Sequence, residues 1–428
     1  MTSPRTGLVR ALGRWSLAAL AVNSVIGSGI FGLPSTIAGF LGKRSTVAVL
    51  IAGAAIGIIM ACFAEVASQF SEAGGPYLYA RKAFGRLTGI LVGWTLYLAQ
   101  TAAPAANANL FVVYLAEFWP HAKDPWPRFF ILTLLVWVLA FVNARGARQG
   151  AVVSNIFTVA KLLPLAMVIL AGAAVTSINH VPWSGTGHYP SSDWIKAIFL
   201  MIFAYGGFES AMTPAGEAKN PVRDTVFALF VALISCTAIY ALIQLVVVGV
   251  LGPSTSDRPL AEVARITMGN RGAQLVAIGA LVSVYGYLSA KLLGMPRVTY
   301  ALAEQGDLPG IFAVVSRKFH TPWFSIMVYS SAVWGLALVG NFAWNVTLSV
   351  IARLFYYAVV CAALIVLRRK PGQTAAFRLP GGPIWAVLGI LISLSLATQA
   401  DLSKSAILGV TVAAALLNWF WARRRTAA

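Results

Sequence analysis

Four charged side chains stand well inside long apolar stretches of the chain: Lys161, Glu209, Lys291 and Arg353. A charge at the centre of a bilayer costs about 2.5–3.5 kcal/mol on insertion scales, so each needs a partner or a task. Two glycine-bearing clusters fall in the same kind of stretch. One is Gly27-Ser28-Gly29-Ile30-Phe31-Gly32, followed by Leu33-Pro34; the other is Phe203-Ala204-Tyr205-Gly206-Gly207-Phe208-Glu209-Ser210. In lipid, unwound backbone is tolerated only where it lines a cavity or is buried in protein. Taken alone, the first cluster reads equally well as close helix packing through small residues. The second cluster decides for interruption, because broken helices at matching positions in two halves mark a binding site near the bilayer midplane. A half-helix restarting after Gly27 offers the N–H groups of Ser28 and Gly29 and a positive dipole end, which suit a carboxylate. A half-helix ending before Gly206 offers the carbonyls of Phe203, Ala204 and Gly206, which suit an ammonium. An amino acid carries both groups on one carbon.

The elements that must position these groups are membrane spans. The chain has 428 residues, 59% hydrophobic and only 11% charged, against about 25% charged in soluble domains. A soluble fold of this size cannot cover its surface with so few charges. The apolar residues fall into twelve stretches, at about 15–41, 46–70, 84–116, 128–144, 152–175, 194–216, 222–251, 272–302, 323–340, 344–368, 383–400 and 404–422. Each is long enough for a hydrocarbon core of about 30 Å. The spacing predicts an all-α polytopic membrane protein. Stretches 15–175 and 194–368 form two five-helix repeats of inverted topology with broken helices 1 and 6, and 383–422 supplies two extra helices. The first stretch is too long for a signal-peptide core and reads as a helix that stays.

The net charge of +19 is spread singly and in small groups between the apolar stretches, which disfavours nucleic acid as a partner. With the N-terminus inside, 20 Lys and Arg lie on the inner side and 8 on the outer. The positive-inside rule then puts both termini in the cytoplasm; the expected location is a plasma (inner) membrane. Cys62, Cys236 and Cys361 lie within apolar stretches without metal-ligand or disulfide spacing, and read as small packing residues. The histidines His121, His180, His188 and His320 lie in connections. No cofactor is indicated.

The chain resembles the amino acid–polyamine–organocation family of transporters, which share the leucine-transporter fold. The resemblance rests on Gly27-Ser28-Gly29-Ile30-Phe31, Glu72-Ala73-Gly74-Gly75-Pro76-Tyr77, Ala106-Asn107-Ala108-Asn109 and Lys161-Leu162-Leu163-Pro164. It continues through Gly206-Gly207-Phe208-Glu209-Ser210, Gly216-Glu217-Ala218-Lys219-Asn220-Pro221, Ala301-Leu302-Ala303-Glu304 and Gly306-Asp307. Each fragment is weak alone; in this order they are specific. The resemblance implies amino acid or amine transport by alternating access, as proton symport or exchange. It places Val25, Ser28, Gly29 and Ile30 in span 1 against the substrate, with Phe203, Ala204 and Gly206 in span 6 and Phe203 as an aromatic lid. It implies a proton-linked role for Glu209. It sets Lys161 where some members hold a lysine in place of sodium, which argues against sodium coupling.

Each embedded charge also has a plainer reading. Lys161 can snorkel to the headgroups, and Glu209 can serve as a helix N-terminal acid. Lys291 and Pro104 depart from the related exchangers, which carry a tryptophan and a polar or aromatic pocket residue there. An ammonium at Lys291 repels a cationic side chain. It either attracts a carboxylate, pairs with Glu209 or sits in a silent polar cluster. Pro104 kinks its helix and donates no hydrogen bond. Arg353 is either an outer-gate residue or, more in keeping with its position, a paired or snorkelling structural arginine, and Glu65 binds cations of the inner loops. The expected partners are an amino acid or amine, protons and the lipid bilayer, with assembly into an oligomer left open. The alternative is a channel or a transporter-like nutrient sensor, disfavoured by tails of about 14 and 6 residues. An enzyme is disfavoured because HExxH, GxSxG and paired acids within one span are all lacking.

Overall fold

A computed structural model describes residues 13–426 except 71–73, 147–150, 179–188, 212–220, 253–254 and 371–374. The excluded positions contain part of two sequence fragments (Glu72-Ala73 and Gly216 to Asn220), along with Arg148, Lys219, His180 and His188. The N-terminal Arg5 and Arg10 also lie outside the described residues.

Every described element is helical, as lipid requires of a chain whose backbone groups must bond within their own segment. The first stretch is three pieces: α1 (Arg14–Val25), α2 (Ser28–Gly32) and α3 (Pro34–Leu41). There follow α4 (Ser45–Ala67), α5 (Gly75–Phe84), α6 (Arg86–Leu115), α7 (Pro125–Ala144) and α8 (Ala151–Ile178). The second half holds α9 (Ser191–Tyr205), α10 (Phe208–Ala211), α11 (Pro221–Leu251), α12 (Pro259–Glu304), α13 (Trp323–Val339) and α14 (Phe342–Arg368). Two further helices, α15 (Gly382–Ala397) and α16 (Leu402–Thr426), complete the chain. All twelve predicted spans find a helical counterpart. Only six described stretches are long and apolar enough to cross a membrane on composition alone. The others fall short because they are broken, because they are short, or because, like α6, they bury Thr95, Gln100, Asn107 and Asn109.

Two elements differ from expectation. Residues 75–84 form a separate helix, cut from α6 by Gly85 at φ 96°. The expected connection 252–271 contains the first turns of α12, which kinks at Gly269 (φ 73°, ψ −172°). Its sequence PLAEVARITM mixes Glu262 and Arg265 with apolar residues, so hydropathy does not mark it.

The packing repeats between the halves. Helix α6 packs on α14 as α12 does on α8; α1 packs on α11 as α9 does on α4; and α4 packs on α14 as α11 does on α8. Each pairing becomes its counterpart when α1–α8 is exchanged for α9–α14. Helix α15 lies on α14 and α4, and α16 lies on α6.

Candidate functional site: two interlocked helix breaks

Helix α1 stops because Ile26 (φ −70°, ψ 97°) is extended, and Gly27 (φ −124°, ψ −152°) is extended too. Helix α9 stops at extended Gly206, and Gly207 has φ 116°, a conformation that favours glycine. A β-carbon on Gly207 would stand 2.2 Å from the Ser24 carbonyl oxygen. The two breaks therefore interlock at backbone contact.

A helix C-terminus leaves its last carbonyls without intrahelical donors, and here their partners can be named. The Lys161 ammonium donates to the carbonyls of Asn23 (2.9 Å) and Ile26 (3.0 Å). The Tyr240 hydroxyl lies 3.2 Å from the Val25 carbonyl and 2.9 Å from the Ala204 carbonyl. One residue of α8 and one of α11 thus hold the end of α1, and Tyr240 touches both breaks. Lys161 is 3% exposed, so its ammonium is spent on α1 rather than snorkelling outward.

Glu209 opens α10 and is also buried. Its Oε1 accepts from Arg353 (2.7 Å), Tyr356 (2.8 Å) and Tyr357 (2.5 Å), and its Oε2 accepts from the Gly207 N–H (2.9 Å). Arg353 is 1% exposed and lies directly on the break, where a β-carbon on Gly206 would stand 2.4 Å from its Nη1. Its Nε reaches Ser349 at 3.3 Å. Arg353 is thus a paired residue, and its partner is Glu209. Lys291 is directed elsewhere: its ammonium donates to Gln100 Oε1 at 2.8 Å and lies 5.5 Å from the centre of the Tyr287 ring. Glu65 accepts from Arg368 Nε and Nη2, each at 2.6 Å, and from the Leu379 N–H at 2.8 Å.

Pro104 has no N–H, so the Gln100 carbonyl one turn earlier loses its helical donor. The Tyr329 hydroxyl of α13 supplies a replacement at 2.5 Å. Tyr329→Phe is therefore expected to cost about 1–3 kcal/mol, the price of a buried carbonyl left unpaired. Pro104→Ala restores a backbone donor, so the double variant Pro104→Ala/Tyr329→Phe recovers most of the loss. Thermal melting of the four proteins in one detergent checks this; equal losses in the single and double variants would refute it.

A cavity of about 1030 Å³ begins at Gln100 and Glu209 and runs between α5, α6 and α12 to Arg81, Arg297 and Asp307. It opens at the end of the bundle where α16 finishes, since Asn418 donates to the Asp307 carbonyl (2.8 Å). The Asp307 side chain there accepts from Arg81 (2.7 Å), Arg86 (2.8 Å) and Tyr77. At the opposite end the breaks are shut. A β-carbon on Gly29 would stand 2.7 Å from the Ala204 Cα, and one on Gly32 would stand 2.5 Å from the Phe342 ring, which Phe203 also meets edge-on at 6.3 Å.

The expected substrate residues are thus assembled but closed on themselves. Val25, Ser28, Gly29, Ile30, Phe203, Ala204 and Gly206 meet around the breaks, whereas the cavity touches Glu209 and Gln100 and none of those seven, nor Lys291 or Pro104. The carbonyls foreseen for an ammonium are partly engaged: Phe203 accepts the Gly206 N–H (3.1 Å) and Ala204 the Tyr240 hydroxyl. Each carbonyl keeps a second lone pair. Ser28 Oγ is buried with no hydrogen-bond partner.

A sequence model of the family described as "Amino acid permease" matches residues 12–423. The chain belongs to the amino acid permease family. It is a multi-pass membrane transporter, not an enzyme. The permease is 27% identical to the methylthioribose transporter of Bacillus subtilis, over 92% of this chain and 88% of that protein. It is 26% identical to the serine/threonine exchanger SteT of Bacillus subtilis, over 91% of each chain. To the branched-chain amino acid permease BcaP of the same organism it is 27% identical, over 92% of this chain and 89% of that one.

Further polar contacts join neighbouring elements at the end of the permease away from that cavity. Glu117, at the end of α6, pairs with Arg265 (2.5 Å) and Arg258 (2.9 Å), and Lys123 pairs with Asp257 (2.7 Å). The Glu117 carboxylate holds the Arg265 guanidinium above its usual pKa. Arg128 donates to Asn109 (2.9 Å) and to the carbonyls of Ala337 and Gly340 (2.7 Å each). Sequence reasoning missed Tyr240, Tyr356, Tyr357 and Gln100 as members of the centre. The available signal was a hydroxyl or amide inside an apolar span, where a polar tip requires a partner.

Proposed function

We propose that the permease is a secondary transporter that moves amino acids across the plasma membrane by alternating access, without sodium. The carrying observation is the one-sided cavity. It reaches from Gln100 and Glu209 to the Lys/Arg-rich end, while Gly29–Ala204 and Phe203–Phe342 close the other. With both termini in the cytoplasm, this is the state open inward. Residues 15–175 and 194–368 act as the two repeats whose relative motion reverses access, and 383–422 braces them.

The zwitterion is gripped when α2 and α9 part at Gly29 and Ala204. The N–H groups of Ser28 and Gly29, with Ser28 Oγ, take the carboxylate; the Val25, Phe203, Ala204 and Gly206 carbonyls take the ammonium. Phe203 covers the substrate from outside. Lys161 supplies a fixed cation at the end of α1, a place suited to sodium. Glu209 transmits the substrate's presence to α14 through Arg353, and protons couple uptake in symport or are replaced by a counter-substrate in exchange.

Uptake of labelled amino acids into proteoliposomes with an imposed pH gradient tests this. The expected result is saturable uptake that is unchanged when choline replaces sodium. Accumulation that follows sodium and ignores pH rejects the coupling; flux that never saturates points to a channel.

A further inference from the structure

We propose that a basic patch edged with aromatic rings, where α7 meets the connection from α12 to α13, binds the headgroup of an anionic phospholipid. Its cations are Arg145, Arg317 and Lys318. The patch depends neither on the substrate nor on the coupling proposed above.

A short turn builds it. The Ser316 N–H donates to the Thr321 carbonyl and the His320 N–H to the Ser316 carbonyl, both at 2.9 Å. These bonds close residues 316–321 into a loop with Arg317, Lys318 and Phe319 at its tip, and His320 completes it at φ 51°. The loop is docked on the end of α7. The Thr321 hydroxyl donates to the Ala144 carbonyl at 2.7 Å, and a β-carbon on Gly146 would stand 3.3 Å from the Phe319 carbonyl oxygen. Arg145 lies between those two contacts in the chain, so it stands beside the tip. All three cations are exposed.

Their charge is not balanced locally. Residues 125–192 and 308–400 contain no Asp or Glu. The acids that precede the turn are engaged elsewhere: Glu304 accepts from Tyr300 (2.6 Å), and Asp307 accepts from Arg81 and Arg86. Among the described residues, none of the three cations pairs with a carboxylate. Two of them lie on rings instead, Arg145 at 4.2 Å from the centre of Phe141 and Lys318 at 5.4 Å from that of Phe319.

The surroundings choose the anion. Phe141, Phe319 and Trp323 are exposed at the ends of their elements, as aromatic rings are at headgroup level. Val138 and Met327, one turn deeper on α7 and α13, are exposed too and face acyl chains. A soluble anion gains from the cations alone. A zwitterionic lipid gains from the apolar face, but its own cation offsets its phosphate. An anionic phospholipid uses both, with its phosphate on the arginines and lysine and its chains along α7 and α13. Such a headgroup also acts on the cavity. Phe312 stands on the cavity wall, its carbonyl accepts from the Ser325 hydroxyl (2.9 Å), and its ring meets Phe324 edge-on at 5.1 Å. A phosphate shared by Arg145, Arg317 and Lys318 ties α7 to the chain that continues from this wall.

The experiment titrates the full chain in uncharged detergent with dioleoylphosphatidylglycerol, with dioleoylphosphatidylcholine and with inorganic phosphate, and follows the melting temperature, which a ligand of the folded state raises. Phosphatidylglycerol is expected to raise it at lower concentration than phosphatidylcholine, and phosphate at the same concentration to leave it unchanged. In Arg317→Gln/Lys318→Gln the phosphatidylglycerol concentration for half the effect rises about 30-fold, since each cation near a headgroup is worth about fivefold. Arg369→Gln/Arg378→Gln removes two exposed cations from the α4–α14 side of the same end and keeps the wild-type response. If the first double variant does not fold, Arg145→Gln decides, with an expected rise of about fivefold. Equal shifts with the two lipids, no shift with phosphatidylglycerol, or as large a loss in Arg369→Gln/Arg378→Gln overturns the site. A shift with phosphate equal to that with phosphatidylglycerol overturns the lipid as its occupant.

Discussion

Arg353→Met is expected to abolish transport and to destabilise the permease by about 3–5 kcal/mol, the cost of leaving a buried charge without its partner. Glu209 would keep the Tyr356 and Tyr357 hydroxyls and the Gly207 N–H but lose the one cation that hydrogen-bonds to it among the described residues. Glu209→Gln should be damaging in the reverse sense, because it strands a guanidinium that is 1% exposed. The double variant Glu209→Gln/Arg353→Met separates stability from function. Replacing both members of a buried pair by uncharged residues is often neutral for stability, so its melting temperature should recover toward wild type. Transport should not recover. The guanidinium lies on Gly206 and fastens α14 to the gap between α9 and α10, and in the proposed cycle that fastening tightens and loosens as the repeats move. Melting and uptake of the four proteins check this. A double variant no more stable than the singles denies the coupling, and one that transports as well as wild type denies the fastening any part in the cycle.

Much of this centre was legible in the sequence, and the reason is energetic. Glycine clusters in mid-membrane and lone charges among apolar residues are costly features; in the structure the clusters break helices and the charges have hydrogen-bond partners. The breaks fall at Ile26-Gly27 and Gly206-Gly207, and Lys161 bridges α8 to α1. What could not be read was which groups meet across long separations. Tyr240 sits in an apolar run where a tyrosine reads as one more packing ring, yet its hydroxyl joins carbonyls 36 and 215 positions away. Glu209 and Arg353 were both singled out, but their pairing depends on the register of α14 against α10, which no local pattern encodes. Pro104 was read correctly as a lost donor. That Tyr329 replaces it depends on how α13 packs on α6. The close approach of Gly29 to Ala204 joins residues far apart in the chain, which no local pattern encodes.

Lys161 carries the other large effect. Lys161→Met is expected to reduce transport at least about 100-fold. It removes two charge-assisted hydrogen bonds to the Asn23 and Ile26 carbonyls, each worth about 1.5–3 kcal/mol, and leaves both carbonyls at the end of α1 without that donor. Tyr240 still reaches Val25, so α1 stays in place loosely and the folded protein survives with less stability. Lys161→Arg discriminates between the roles open to a lysine in a membrane helix. A snorkelling lysine exchanges freely for arginine, since both stems carry the charge to the headgroups. A lysine that fills a small space between two carbonyls does not, because a planar guanidinium is larger and presents its donors in a fixed fork. The site is 3% exposed, so the arginine variant should be nearly as inactive as the methionine one. Uptake in sodium and in choline, measured for wild type and both variants, tests the assignment. On the proposed role of Lys161 as a fixed cation, wild-type flux should not distinguish the two cations, because its ammonium already engages both carbonyls. Full activity in Lys161→Arg would return this residue to the membrane surface and leave the end of α1 without its proposed fixed charge.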